Sequence, residues 1–137
     1  MRIDLQRPNK VHCEWDGVLT MNIPTFGEQK AAFEVFCEDV HEESEFTELV
    51  NYVMDHAETL FMDAVQTFLT ENEFDVHTAD ALREILTGVS FHLTGPRNND
   101  ALAWSIQLSM RPPDFDCEYG FFVDYVGKEI VGMGGAS

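Results

Sequence analysis

Residues 46–69 read FTELVNYVMDHAETLFMDAVQTFL. Their apolar members, Phe46, Leu49, Val50, Val53, Met54, Ala57, Leu60, Phe61, Ala64, Val65, Phe68 and Leu69, recur at intervals of three and four. That period places them on one stripe of an α-helix and predicts a single long amphipathic helix, with Ser44 or Asp39 positioned to cap its start. The opposite face carries Glu48, Asn51, Tyr52, Asp55, His56, Thr59, Asp63, Gln66 and Thr70, and nothing cationic on the helix pairs with its acids.

On both sides of this stretch the period falls to two. Upstream, Val11-His12-Cys13-Glu14 alternates, Leu19, Met21 and Ile23 alternate again, and Asp16-Gly17 between them is a hairpin signal. A three-residue Trp15-Asp16-Gly17 loop opposes Cys13 to Leu19 and Val11 to Met21, which keeps apolar against apolar and predicts a left-handed Gly17 at a bulge. A third strand is expected at about Lys30 to Glu38, with Ala31, Phe33, Val35 and Cys37 on one face.

Downstream, Thr78 is placed to cap a short helix whose inner face is Ala81, Leu82, Ile85 and Leu86 and which stops at Gly88. Val89 to Leu93 either extends that helix or forms a short strand, and Thr94 to Asp100 has the turn chemistry of a loop. Leu102, Trp104, Ile106, Leu108 and Met110 alternate with Ala103, Ser105, Gln107, Ser109 and Arg111, the pattern of a strand with one face on a core. Pro112-Pro113 ends it, Phe121 to Val126 is a further strand, Gly127-Lys128 suits a two-residue turn, and Glu129 to Met133 returns. The Gly132-Met133-Gly134-Gly135 run reads as a frayed tail. Strands, then helices, then strands predict one α+β domain over residues 1–137. Its sheet is antiparallel or mixed, of about five or six strands, with one long and one short helix packed on one face.

Composition narrows the function classes. Apolar residues make up 45% of the chain, enough for one core. Met1 to Lys10 lacks the apolar run of a signal peptide and no stretch has the length of a membrane span, so a cytoplasmic protein without membrane contact is expected. The three cysteines, Cys13, Cys37 and Cys117, form no CxxC pair and sit among apolar neighbours, which predicts buried reduced thiols. Charge is the exceptional feature: 25 acids face 8 bases, for a net charge of −17. No Lys or Arg occurs between Lys30 and Arg83, while fourteen acids do, from Glu34 to Asp80. Such a surface repels a phosphate backbone, and nucleic acid is excluded as a partner.

Motifs for chemistry are missing. The chain has no phosphate-binding glycine loop ahead of a helix, no GxSxG, no HExxH, and no histidine spacing that repeats a metal pattern, so no cofactor or metal is expected. Phe33, Phe36, Phe61, Phe68, Phe91, Trp104 and Phe121 have strand and helix spacing and belong to the core rather than to a ligand cage. If the protein is a small enzyme, its site is built of scattered residues between sheet and helix, such as His56 with Asp55 or Tyr119 with Glu118.

Near the C-terminus, Phe115-Asp116-Cys117-Glu118-Tyr119-Gly120-Phe121-Phe122-Val123, followed by Gly127-Lys128-Glu129-Ile130-Val131-Gly132, resembles a small uncharacterised bacterial family. That family carries an aromatic-Asp-x-Glu-His-Gly-apolar-x-Val string before a last hairpin. Phe115 stands here for the family's Trp and Tyr119 for its His, and the likeness covers about thirty residues, from Leu102 to Gly132. The resemblance implies a strand-rich α+β domain, some of whose relatives look like immunity proteins that neutralise bacterial toxins. It brings no catalytic residues and suggests a structural turn at Asp116 to Gly120, with Gly120 permitting a tight approach to the strand.

The combined expectation is a non-catalytic acidic binding protein, specifically an immunity protein or inhibitor of a basic toxin. Its contact surface would be Glu42, Glu43, Glu45, Glu48, Asp55 and Asp63 on the long helix and the loop before it. The alternatives are the small enzyme and a homodimer or larger assembly built on the exposed sheet face or an edge strand, for which Phe36 and Phe122 are the hints.

Overall fold

The computed structural model describes residues 13–37, 43–93, 103–113 and 115–136. In chain order they form β1 (Cys13–Ile23), β2 (Gly27–Cys37), α1 (Glu43–Asp55), α2 (Ala57–Glu71), α3 (Ala79–Ile85), β3 (Leu86–Leu93), β4 (Ala103–Met110), β5 (Tyr119–Val126) and β6 (Glu129–Ala136). The six strands make one mixed sheet in the order β1-β2-β3-β4-β5-β6. All neighbours are antiparallel except β2 and β3, which run parallel from Ala32↔Ser90 to Val35↔Leu93, with the helices in the crossover between them. This is the expected α+β class.

The Asp16-Gly17 hairpin does not form. Residues 13–23 are one strand, in which Gly17 pairs with Phe33 and Asp16 with Glu34, and the chain reverses instead at Pro24-Thr25-Phe26. Leu19, Met21 and Ile23 share odd numbering with Cys13, so a straight strand keeps the same apolar phase that the hairpin reading found. It also lets the whole of β1 pair with β2, from Ile23↔Gly27 to Cys13↔Cys37, which a turn at Gly17 would forfeit. The actual turn holds Thr25 at φ 76 and Gly27 at φ 71. A β-branched residue in the left-handed region is strained, and Gly27 relieves the second such position.

The predicted long helix is interrupted. Its apolar stripe is buried as expected, with Leu49, Val50, Val53, Met54, Ala57, Leu60, Phe61, Ala64, Val65 and Phe68 all inside. His56, however, takes φ −116 and ψ 17 and separates α1 from α2. Its imidazole Nδ1 lies 2.9 Å from the Tyr52 carbonyl oxygen, so Nδ1–H donates to it and shares that acceptor with the His56 backbone N–H at 3.0 Å. Doubling the bond to one carbonyl bends a helix without Pro or Gly. Ser44 lies within α1 rather than at its cap, and Asp39 is outside the described residues.

Asn72 closes α2: its Nδ2 donates to Phe68 O at 2.7 Å and to Val76 O at 2.8 Å. Thr78 caps α3 as predicted, accepting the Ala81 N–H at 3.1 Å. Leu82 is the fully buried residue of that helix, which ends at Ile85, so Leu86 to Leu93 is strand and Gly88 is no stop. The predicted loop at Thr94 to Asp100 lies outside the described residues.

The core lies between the helices and the inner face of the sheet. Phe61 meets Phe26 of the β1–β2 turn edge-on at 5.2 Å, Phe68 meets Phe121 of β5 edge-on at 5.1 Å, and Phe33 stacks on Phe91 across the parallel pair at 5.7 Å. Of the aromatics assigned to the core, Phe33, Phe61, Phe68, Phe91, Trp104 and Phe121 are buried, and the Phe36 side chain is outside the described residues. The C-terminal glycine run is not frayed, because it pairs with β5 from Val126↔Glu129 to Gly120↔Ala136. Gly127, at φ 62, occupies the first central position of the two-residue turn, where a positive φ is required.

Candidate functional site

Because one stripe of α1 and α2 is buried, the opposite stripe faces water, and it is acidic. Glu48, Asp55, Glu58, Asp63 and Glu71 are all exposed, and Glu73 and Asp75 continue the series beyond α2. Of the six contact residues expected from sequence, Glu48, Asp55 and Asp63 lie on this outward stripe, seven and eight residues apart and so about two helical turns from one another. Glu43 and Glu45 belong to α1 with side chains outside the described residues, and Glu42 lies outside them altogether.

The fold adds one cation that the helix itself lacks. Lys128, in the β5–β6 turn, places its Nζ 4.4 Å from the centre of the Tyr52 ring, which in turn stacks on the His56 ring at 4.4 Å. Behind them Tyr125 stacks on Trp104 at 4.1 Å, and the Trp104 Nε1–H donates to Gly127 O at 2.7 Å, anchoring the turn that carries Lys128. The Tyr125 hydroxyl is pushed up to about 12, first by burial and then by the Asp63 carboxylate and Tyr52. Negative potential from the helix therefore reaches the end of the sheet.

Where α1 and α2 meet, a cleft of about 280 Å³ opens between the helices and β1. One wall is Leu19 to Asn22; the other includes Met54, Asp55 and Glu58. The Glu58 carboxylate accepts the Asn22 backbone N–H at 2.7 Å, a charge-assisted bond that ties the helix to the edge strand. Two carboxylates on one wall of a concave surface suit a cationic side chain. Sequence reading left Glu58 out of the contact set because its cleft exists only once α2 lies across β1.

The outward face of the sheet carries a second arrangement. Glu34 Oε2 accepts from His92 Nδ1–H at 2.8 Å, and the His92 Nε2 and the Ser90 hydroxyl lie in hydrogen-bond contact at 2.9 Å. Hydroxyl, imidazole and carboxylate thus stand in the order of a nucleophile, its base and an orienting acid. Ser90 nevertheless lies inside a central strand paired on both sides, with Ala32 and with Gln107, so the surrounding backbone N–H groups are committed to the ladder. Oxyanion stabilisation needs free donors, and these are not free. A shallow cleft of about 250 Å³ begins at His92 but runs past Ser105 and Asp124 to Val131 without including Ser90. The chain of hydrogen bonds pins β2 to β3 at the one parallel junction. Sequence could show Ser90 and His92 two apart on a strand, but Glu34 joins them only through the register.

The pairs considered for an enzyme are otherwise engaged. His56 Nδ1 is held by the Tyr52 carbonyl, and Glu118 Oε2 accepts the Thr87 hydroxyl at 2.7 Å. Tyr119 packs edge-on against Phe74 at 4.9 Å and Phe115 at 5.9 Å, and burial, reinforced by the Glu73 carboxylate, holds its hydroxyl above the usual phenol range. Gly120 has no positive φ, so no turn requires glycine there; a Cβ would lie 2.9 Å from Gln107 Nε2, the mobile end of a neighbouring side chain. Cys117 is exposed and reduced, contrary to the expected buried thiol, while the Cys13 and Cys37 side chains lie outside the described residues.

Among the described residues no three His, Cys, Asp or Glu side chains converge as metal ligands, and no helix is long and apolar enough to cross a membrane. Comparison with protein-family models, with curated proteins and with solved structures finds no match for this chain.

Proposed function

We propose that the protein is a non-catalytic binding protein of the cytoplasm whose acidic helical face docks a basic protein, in the manner of an immunity protein or inhibitor covering a basic site on a toxin. The observation that supports this reading is the exposure of Glu48, Asp55, Glu58, Asp63 and Glu71 along α1 and α2, with the acid-walled cleft where the two helices meet. Two like charges 10 Å apart in water repel by about 0.4 kcal/mol before screening, so a face of five carries a cumulative cost that a cationic partner turns into attraction. An Arg or Lys of the partner would enter the cleft beside Asp55 and Glu58, and the rim acids would steer encounter. Lys128 over Tyr52 bounds the face at the end near β5 and β6.

The test is capture of a defined basic partner from the native host at low salt. The triple variant Glu48→Lys, Asp55→Lys, Asp63→Lys is expected to lose the partner, and a control with Asp16→Lys, Asp116→Lys and Glu129→Lys to keep it. Raising salt should slow association. A partner retained by the helix variant, or lost equally from both, would sink the reading.

A further inference from the structure

α1 and α2 end in the same way. At the end of α2 the Asn72 backbone N–H donates to Phe68 O at 2.9 Å, and the Asn72 Nδ2 donates to that same carbonyl at 2.7 Å. At the end of α1 the His56 backbone N–H donates to Tyr52 O at 3.0 Å, and the imidazole Nδ1–H donates to that carbonyl at 2.9 Å. In each case the residue just past the helix doubles the bond to the carbonyl four positions back, and the helix stops there. After Asn72 the chain departs. After His56, whose φ −116 and ψ 17 lie away from helical values, a second helix starts at once.

We propose that His56 is a positioning residue for the acid-walled cleft: its imidazole ends α1 at this point and so sets where α2 begins against β1. The cleft straddles the break. Met54 and Asp55 are the last residues of α1, Ala57 and Glu58 are the first of α2, and all four line the cleft opposite residues 19–22 of β1. The two halves also take different courses over the sheet, since α1 packs on β2 while α2 reaches β1, β4 and β5. An unbroken helix would carry residues 43–71 along one axis and would not follow both courses. Glu58, in the first turn of α2, is the group that the break delivers to the Asn22 N–H at 2.7 Å. What enters the cleft rests on the docking reading above; how the cleft is built does not.

The usual causes of a helix break do not apply here. Neither Pro nor Gly occurs in residues 43–71. The apolar stripe runs through the break, from buried Val53 and Met54 to buried Ala57, Leu60 and Phe61, so periodicity favours one continuous helix. The side-chain bond to the Tyr52 carbonyl therefore supplies the local cause. It is held in place from outside the helices: the imidazole stacks on Tyr52 at 4.4 Å, and Lys128 Nζ, from the β5–β6 turn, stands 4.4 Å from the centre of that Tyr52 ring.

The experiment compares the full chain with His56→Phe and His56→Asn by NMR. His56→Phe keeps a ring against Tyr52 at similar helix propensity and removes the donor. His56→Asn removes the ring and keeps a side-chain N–H that can reach the carbonyl four residues back, as that of Asn72 does. His56→Phe is expected to extend helical backbone shifts across residue 56 and, as Glu58 is drawn from Asn22, to speed exchange of the Asn22 amide roughly tenfold. His56→Asn should leave both as they are in the wild type. Unchanged shifts and exchange in His56→Phe, or equal changes in the two variants, would overturn the proposal. An arginine-rich peptide titrated into the three proteins then tests docking separately. If it perturbs the amides lining the cleft of the wild type, His56→Phe should weaken that binding several-fold and His56→Asn should not. Perturbations confined to other surfaces would count against docking at the cleft, while exchange at Asn22 still decides the role of His56.

Discussion

Among the described residues β1 and β6 are the two outer strands of the sheet, yet they are finished in different ways. At β1 a helix side chain reaches the edge: the Glu58 carboxylate takes the Asn22 N–H, and Asp55 shares that wall of the cleft. Phe26, at the end of the strand, is clamped under Phe61. At β6 no charge follows Glu129, and Ile130, Val131 and Met133 stay in water. The lesson is that charge reaches the two outer strands unevenly: the Glu58 carboxylate bonds the β1 backbone, whereas Glu129 is the charged residue of β6 and sits at its start.

Breaking the β1 side outright should have the largest effect. Phe61→Ala removes a fully buried ring that anchors the β1–β2 turn, and a loss of about 3–5 kcal/mol in denaturant unfolding is expected. A loss under about 1 kcal/mol would mean that the turn is not held from beneath.

A smaller effect tests the opposite edge. The Tyr119 ring lies over Gly135, so closely that a Cβ at 135 would overlap its hydroxyl. Gly135→Ala must push the ring off Phe74 and Phe115, at a cost of about 1–3 kcal/mol. Pairing Gly135→Ala with Tyr119→Ala should recover most of that loss beyond the Tyr119→Ala effect alone; two fully additive penalties would refute the contact.

The smallest effect isolates the guard on β1. Glu58→Ala leaves the Asn22 N–H to water, costs about 0.5–1.5 kcal/mol and should accelerate exchange of that amide while leaving β6 amides unchanged. Equal acceleration at both edges would erase the contrast between them.

Much of this architecture was legible in residue order, and the exceptions have identifiable causes. Alternation along Trp104, Ile106, Leu108 and Met110, the stripe from Leu49 to Phe68, and the Thr78 cap all appear where local chemistry puts them. Asp16-Gly17 misled because a local turn preference was outweighed by the full length of β1–β2 pairing. The break at His56 was hidden because a bend made by one imidazole on one carbonyl leaves the apolar period intact. The glycine run at β6 read as a tail because only Tyr119, a residue of the neighbouring strand, explains why residue 135 must lack a side chain.

Sequence alone determined the class of fold, the buried stripe and the fact that the middle of the chain is acid without base, since periodicity and charge are properties of neighbours along the chain. Tertiary structure alone decided that Glu58 bonds the β1 backbone, that Lys128 sits on Tyr52, that Glu34 meets His92 and that β6 follows β5 at the end of the described sheet. Each of these joins residues from separate elements, and only register and packing set the distances on which hydrogen bonds and electrostatic contacts depend.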